Sequence, residues 1–495
     1  MASRRVVALW LAVGMGVLVL GALLRLPALF EPRWYADEGI FAGIASDLRA
    51  GRALYSEAWD QKPPFILWTY AGIQEVGGTG PGALHAAGLG VLVATQATVM
   101  AIAWLLGGPR RGMAAGLIVA ALLATPVIEG NLALTEGFLV LPVALAMLVA
   151  VLGWRTEGAR RLAVFALAGL LIGLAINYKQ VAGWDGLALL ALILAGRRQP
   201  LRTAAVAAAG MAAPTLAVAA GFLAAGSFEP YWDAVAGSLG PYREAAPSVG
   251  PAGYAARLVP FAVALGLLAW ARACRQYSGP CMLPALWLAA SLAGATSSTF
   301  AFPHYLQQAV PAFAVATATA RPEAWLRQPS AATALGGVAC FCAGAVVLHQ
   351  FGDALRHGWH TDARAYYENF FGVWLRDRDR DRYEAWFDSR VAIEREVHAL
   401  ISADGEVHTV LIWGDLPWLS ARDEIVNATR WYLPFTAAVR PGAVDEVARG
   451  ILANPPDYLL LNDRPFVPLP AAAELAAEQY DEAWSRDGWT LYRRR

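Results

Sequence analysis

The chain has 495 residues, of which 57% are hydrophobic and 16% charged, and its 39 basic and 39 acidic residues give a formal net charge of zero. A soluble chain of this length carries about 25% charged residues, so an ordinary soluble globular protein is excluded. The balanced charge, with no basic aromatic stretch, argues against nucleic acid as a partner. The deficit of charge is uneven. Residues 1–349 are runs of Ala, Leu, Val and Gly broken by short charged loops, and residues 350–495 have soluble composition. This predicts a membrane domain over 1–349 and a water-exposed domain over 350–495.

Residues 1–5 form a short basic tail, and residues 6–30 read as a first span. The apolar run is too long for a signal peptide and no small-residue cleavage site follows it. Further spans are expected near 83–106, 112–128, 137–153, 162–176, 181–196, 203–225, 259–273, 281–299, 307–320 and 331–349, about eleven in all. Alternate short loops carry arginines: Arg110 and Arg111; Arg155, Arg160 and Arg161; Arg197, Arg198 and Arg202; Arg272 and Arg275; Arg321 and Arg327. By the positive-inside rule these loops and the amino terminus are cytoplasmic. An odd number of spans then places 350–495 outside the cytoplasm of a multi-pass plasma-membrane protein.

The first outer loop, 31–82, carries Asp37 and Glu38 side by side and then Asp60 and Lys62, flanked by Trp34, Tyr35, Tyr55 and Trp59. Aromatic residues at these places suit a membrane–water boundary. Residues 39–50 repeat Ile40, Phe41, Ile44, Ala45 and Leu48 at helical spacing, which predicts a short amphipathic helix lying in the interface. Lys62-Pro63-Pro64 is expected to stop a helix and hold the following chain extended. The second outer loop, 129–136, adds Glu129 and Glu136, and Lys179 stands at the outer end of the fifth span. A second large outer loop, 226–258, contains Tyr231, Trp232, Asp233, Tyr242, Arg243 and Glu244, with irregular backbone expected from its Gly and Pro content. Residues 300–311 bring His304 and Tyr305 to the same face.

Cys274, Cys281, Cys340 and Cys342 lie in or beside apolar segments, so the exposed domain relies on no disulfide, and the spacing of Cys340 and Cys342 supplies no metal site. Residues 350–495 alternate strand and helix signals. Helices are expected at 388–401, 443–453 and 471–484, and strands at 407–414, at 456–463 and over the final residues from Trp489. This reads as a small α/β domain with a largely parallel sheet. It contains no Gly-rich nucleotide fingerprint.

Asp37-Glu38-Gly39 with the aromatic Phe41 two residues on, then Gly51-Arg52-x-Leu54-Tyr55 and Trp59-Asp60-x-Lys62-Pro63-Pro64, resembles the first extracytoplasmic loop of the protein-mannosyltransferase and aminoarabinose-transferase group. The aromatic-Pro-His-Tyr run ending at Tyr305 and the stretch from Trp413-Gly414 to Thr429-Arg430-Trp431-Tyr432 are similar to the same group, the latter to its bacterial members. The resemblance implies a GT-C fold, chemistry outside the cytoplasm, a polyprenyl-phosphate-linked sugar donor and inversion at the anomeric carbon. The acceptor stays open among lipid, glycan and protein, and membrane lipids surround the chain.

Such a transfer needs a base for the acceptor hydroxyl and cations or donors for the leaving phosphate. Asp37 matches the first acid of the family pair and is the candidate base. Glu38 either orients it, binds the acceptor or caps the helix beginning near Gly39. Asp60 and Lys62 are candidate substrate contacts, Lys62 as the phosphate clamp, with a salt bridge between the two as the structural alternative. Lys179 and Arg243 are secondary phosphate contacts, and Glu136, His304 and Tyr305 further substrate contacts, with a hydrogen-bonded boundary residue the alternative for His304 and the aromatic belt that for Tyr305. Gln61 stands where some members carry an acid, so the enzyme is expected to work without a metal, a divalent ion staying open, and no other cofactor is implied. A transporter or lipid-linked-sugar flippase is the rival reading. The charges here lie in outer loops, the spans hold few polar residues and no internal repeat is visible, which favours an enzyme working at one face.

Overall fold

The structure is a computed structural model that describes residues 4–245, 251–275, 278–298, 300–320, 344–345, 352, 359–376 and 379–495. Its first part is helical: α1 (Arg4–Arg25), α2 (Ala36–Arg49), α3 (Pro64–Gly77), α4 (Pro81–Gly107), α5 (Pro109–Leu123), α6 (Thr135–Gly153), α7 (Gly158–Ile176), α8 (Gly183–Ala195), α9 (Pro200–Ala224), α10 (Phe228–Trp232), α11 (Leu239–Glu244), α12 (Pro251–Ala273), α13 (Gly279–Ala295) and α14 (Val310–Thr319). Among the described residues, Arg5–Phe30, Pro81–Gly107, Thr135–Gly153, Gly158–Ile176 and Pro200–Ala224 are long and apolar enough to cross a membrane. The chain is a multi-pass membrane protein. The expected span 331–349, with Cys340 and Cys342, lies outside the described residues apart from 344–345, and so do Arg321 and Arg327.

The chain divides into two compact units. The first comprises Met1–Ala28, Ala86–Ala220 and Pro247–Tyr366. Its core is a continuous apolar cluster that includes Val143, Met147, Phe165, Ile172, Leu189, Leu286 and Trp287. Arg25, buried at the end of α1, donates to the carbonyls of Leu123 (3.2 Å) and Leu132 (2.8 Å). It thereby satisfies one of the carbonyls that α5 leaves open at its end. That helix stops at Leu123, short of the expected 128, because Pro126 disfavours helical backbone at the residue before it and Pro126–Ile128 form a 3-10 turn instead. Likewise, Pro303–Ala309 form a 3-10 segment ahead of α14, so the span expected from 307 starts at Val310.

Helices α7 and α9 cross at small residues. A Cβ at Gly169 would lie 1.9 Å from the Ala207 carbonyl oxygen, so the backbones meet directly, as they do at close crossings in membranes. Gly169→Val is expected to lower stability by about 1–3 kcal/mol through overpacking. Gly90→Ala, at a position with no neighbour within 4 Å of the new atom, should cause no loss. Thermal unfolding in detergent, followed by tryptophan fluorescence, compares the two.

The second unit comprises Leu29–His85, Gly221–Ala246 and Tyr367–Arg495. It corrects several expectations. The amphipathic helix starts earlier than expected, at Ala36, and takes Asp37 and Glu38 into its first turn. It is covered beyond a single apolar stripe: Glu38, Ile40, Phe41, Ala42, Ile44, Ala45 and Asp47 are all buried, because protein covers more than one of its faces. Pro64 does not hold the chain extended but begins α3, since proline at the first helical position lacks only an N–H that would have no partner there. Pro63 alone is extended, with φ −58° and ψ 158°. The loop expected to be irregular after 226 is helical over α10, a π turn Asp233–Gly237 and α11, and α12 begins at Pro251, before the expected 259.

The carboxy-terminal sheet has strands β1 (His408–Trp413), β2 (Ile425–Asn427), β3 (Tyr458–Asn462), β4 (Tyr480–Arg486) and β5 (Trp489–Arg494), in the order β2-β1-β3-β5-β4. β1 pairs in parallel with β2 and β3, whereas β5 pairs antiparallel with β3 and β4, so the sheet is mixed rather than largely parallel. The helix expected over 471–484 is Pro470–Gln479 and gives way to β4. Arg486 pairs with Trp489 across Asp487 and Gly488, whose φ values of 49° and 79° fit a two-residue hairpin turn. Ile393, Val397 and Ile401 of the helix Arg390–Ile401 pack with Val410, Ile412, Leu460 and Leu491 of the sheet to form the domain core.

Candidate functional site

In the second unit, the first turn of α2 and the turn before α3 bring Asp37, Asp60 and Lys62 together. The Lys62 ammonium lies 3.8 Å from Asp37 Oδ2 and 3.6 Å from Asp60 Oδ1, and 4.6 Å from the centre of the Phe41 ring. Both sides of the Lys62 main chain are fixed. Its N–H donates to Asp60 Oδ1 (2.8 Å), its carbonyl accepts from the Tyr55 hydroxyl (2.9 Å), and the two prolines follow. Tyr55 itself is fully buried at a left-handed φ of 69°, a conformation that costs about 1–3 kcal/mol for a residue with a side chain and gathers at functional sites.

The acids differ in access. Asp37 is 36% exposed at its side chain and Asp60 only 1%. Burial pushes the Asp60 carboxyl above the usual carboxylate range, opposed by Lys62, and its Oδ2 has no hydrogen-bond partner among the described residues. Glu38 is wholly buried, with Oε1 3.0 Å from His85 Nε2, which is also fully buried. That pair ties α2 to the start of α4. His85 was missed in the sequence; the only signal was an ionisable residue at the head of an apolar span. In the same unit Asp233 pairs with Arg440. The side chain of Arg243, on α11, lies outside the described residues.

The first unit holds a second polar cluster. Lys179 donates to Glu136, and its ammonium lies 4.0 Å from the centre of the Tyr305 ring. His304 Nδ1 is 2.5 Å from Glu129 Oε2, and His360 Nε2 is 2.9 Å from Oε1 of the same carboxylate. Glu129 sits at a left-handed φ of 56°, and the Gln307 amide holds it there by donating to the carbonyls of Ile128 (3.2 Å) and Glu129 (2.9 Å). On the other side of the 3-10 segment, Gln308 donates to Asp185 Oδ2 (2.8 Å), and Ser291 donates to Asp185 Oδ1 (2.5 Å). His304 and Tyr305 therefore stand on a segment anchored at both flanks. Glu129 and His360 were not among the expected site residues, and nothing local in the sequence links positions 231 residues apart.

Burial alone would raise the Glu129 carboxyl, but hydrogen bonds from His304 and His360 outweigh it and hold the group down at about 2, against 4.5 ordinarily. The folded state thus binds this proton more weakly than the unfolded state. The stabilisation is present above pH 4.5 and lost as pH falls towards 2. Its size is on the order of 3 kcal/mol. Glu129→Gln should lower the thermal midpoint near neutral pH, and the deficit should shrink on acidification to about pH 3. Thermal scans of both proteins at several pH values measure this.

Among the described residues, no group of three or more His, Cys, Asp or Glu is arranged to hold a metal ion.

No protein-family model matches the chain, and no curated protein matches it. Solved structures do. ArnT from Cupriavidus metallidurans, crystallised bound to undecaprenyl phosphate, matches with a TM-score of 0.59 at 18% identity, over 99% of this chain and 98% of that one. The Archaeoglobus fulgidus oligosaccharyltransferase in its apo form matches with a TM-score of 0.47 at 13% identity, over 97% of this chain and 74% of that one. Only the first is near enough to bear on the fold. From end to end, helices and mixed carboxy-terminal sheet together, the chain has the ArnT-like GT-C fold.

Proposed function

We propose that the chain is a membrane glycosyltransferase that moves a sugar from a polyprenyl-phosphate donor to a lipid, glycan or protein acceptor, at the face opposite its arginine-rich loops. The observation that carries this reading is the Lys62 ammonium held between Asp37 and Asp60 on a main chain fixed from both sides. The acceptor hydroxyl attacks the anomeric carbon from the side opposite the phosphate, so the configuration inverts as the C–O bond to the phosphate breaks. Asp37, the more exposed acid, takes the hydroxyl proton. Lys62 neutralises the departing phosphate. The two roles are coupled, because an incoming phosphate competes with Asp37 for the ammonium and leaves that carboxylate available to the proton. Asp60 then serves to hold Lys62 rather than to touch substrate.

The burial of Glu38 against His85 supports a positioning role for it and not contact with the acceptor. Lys179, between Glu136 and the Tyr305 ring, is proposed as a further substrate contact together with His304, Tyr305 and Glu136. A shared fold with a protein crystallised with undecaprenyl phosphate supports a lipid phosphate as the anion. The test is turnover in nanodiscs with a panel of radiolabelled polyprenyl-phosphate sugars, following release of the free lipid phosphate. Sugar-dependent release is the expected result, and no binding of any lipid-linked sugar overturns the reading.

A further inference from the structure

We propose that the outer α/β domain is a working part of the transfer site, with Trp418 and Tyr432 as positioning residues that fix Asp37 relative to Lys62. This rests on the glycosyltransferase reading. Helix α2 has no side-chain cap at its start. The Tyr35 carbonyl there accepts the first helical N–H, from Gly39 (3.1 Å), and also the Trp418 indole N–H (3.0 Å). Asp37 lies in the chain between Tyr35 and Gly39, the residues that this hydrogen-bonded turn joins.

The same edge of the helix is gripped along its length. A Cβ at Gly39 would lie 2.7 Å from the Trp418 backbone nitrogen, and one at Gly43 would lie 2.9 Å from Ser420 Cβ and from the Tyr432 ring. Four residues further, buried Asp47 accepts from the Tyr432 hydroxyl and from Arg52 Nη1 (2.9 Å). Positions 39, 43 and 47 fall on one face of a helix, so the two glycines and the aspartate form a single docking edge for residues 417–432.

The same part of the outer domain also holds the other partner of the pair. The Trp59 N–H donates to the Arg430 carbonyl (2.9 Å), Arg430 Nη1 donates to the Tyr55 carbonyl (3.3 Å), and the Trp59 and Trp431 rings lie 4.5 Å apart. Tyr55 and Trp59 flank the turn that carries Asp60 and Lys62. The segment 417–432 therefore braces the helix of the acid and the turn of the cation at once, and the 3.8 Å between Asp37 and Lys62 depends on it. A misplacement of reacting groups by about 1 Å costs on the order of a hundredfold in rate.

The test uses the full chain in nanodiscs. Trp418→Phe removes the indole N–H and keeps an aromatic ring. It is expected to lower kcat about tenfold with the donor KM within about twofold, and to displace the pH profile of kcat. Hydrogen exchange over residues 36–41 should accelerate. Wild-type kcat and pH profile in the variant overturn the proposal. If Trp418→Phe does not fold, Gly39→Ala, which pushes the same contact apart, is read by the same criteria. If the parent protein binds no lipid-linked sugar, the glycosyltransferase reading falls. Exchange over residues 36–41 then decides the brace alone: faster exchange in the variant supports it, and identical exchange overturns it.

Discussion

Asp37→Asn is expected to lower turnover by about 10²–10⁴-fold, the contribution of a positioned general base, with donor affinity within a few-fold of the parent. The substitution keeps size and hydrogen-bonding shape and removes only the capacity to take a proton. It also removes one of the two carboxylates at the Lys62 ammonium, the one at 3.8 Å, so the cation is freer to meet a phosphate and donor binding should hold or tighten. Loss of turnover without loss of binding is the signature of an interaction made only in the transition state. Equal losses of binding and turnover would instead make Asp37 a donor contact. Turnover within tenfold of the parent would move the base elsewhere.

Much of this was legible in the sequence because it is local. Apolar runs near the bilayer thickness located the helices, and Asp60-x-Lys62-Pro63-Pro64 placed a cation beside an acid through a turn only two residues long. The β1 and β3 strands were readable as short apolar runs ended by turn residues. The failures are equally physical. Pro63-Pro64 is compatible both with an extended chain and with a helix starting at the second proline, and only the packing of Ile66, Leu67 and Tyr70 into the core chooses the helix. The helical pattern over 471–484 covers the start of β4, and the Asp487-Gly488 hairpin that follows adds antiparallel pairing to the sheet.

The site divides along the same line. His85 beneath Glu38, and the pair His304 and His360 on Glu129, join positions 47, 175 and 231 residues apart, so no spacing rule reaches them. Gly39 and Gly43 lie outside the apolar positions Ile40, Phe41, Ile44, Ala45 and Leu48 that the periodicity picks out. Their use as a docking edge appears only when Trp418 and Tyr432 are seen against them. The groups proposed to bear the chemistry stand out by residue type and order, whereas the groups packed against them come from tertiary pairing.

Lys62→Ala is the other large effect, and it acts on two quantities that can be separated. Removing the cation that meets the leaving phosphate should lower kcat by about 10²–10³-fold and weaken donor binding, since the ammonium attracts the phosphate of the ground state as well as of the transition state. It should also destabilise the protein, because Asp60 is 1% exposed, has one oxygen without a partner among the described residues and depends on Lys62 for its nearest positive charge. Stranding a buried charge costs about 3–5 kcal/mol unless the group takes up a proton. Burial already raises the Asp60 carboxyl, and loss of Lys62 raises it further. A raised carboxylic acid binds its proton more tightly folded than unfolded, so its penalty is absent at low pH and grows as pH rises. The thermal deficit of Lys62→Ala should therefore be larger near pH 8 than near pH 5. Adding Asp60→Asn removes the stranded charge and should recover most of the stability while leaving turnover low. Recovery of both stability and turnover in the double variant would mean that Lys62 serves only to neutralise Asp60. Recovery of stability alone assigns the lost rate to the phosphate.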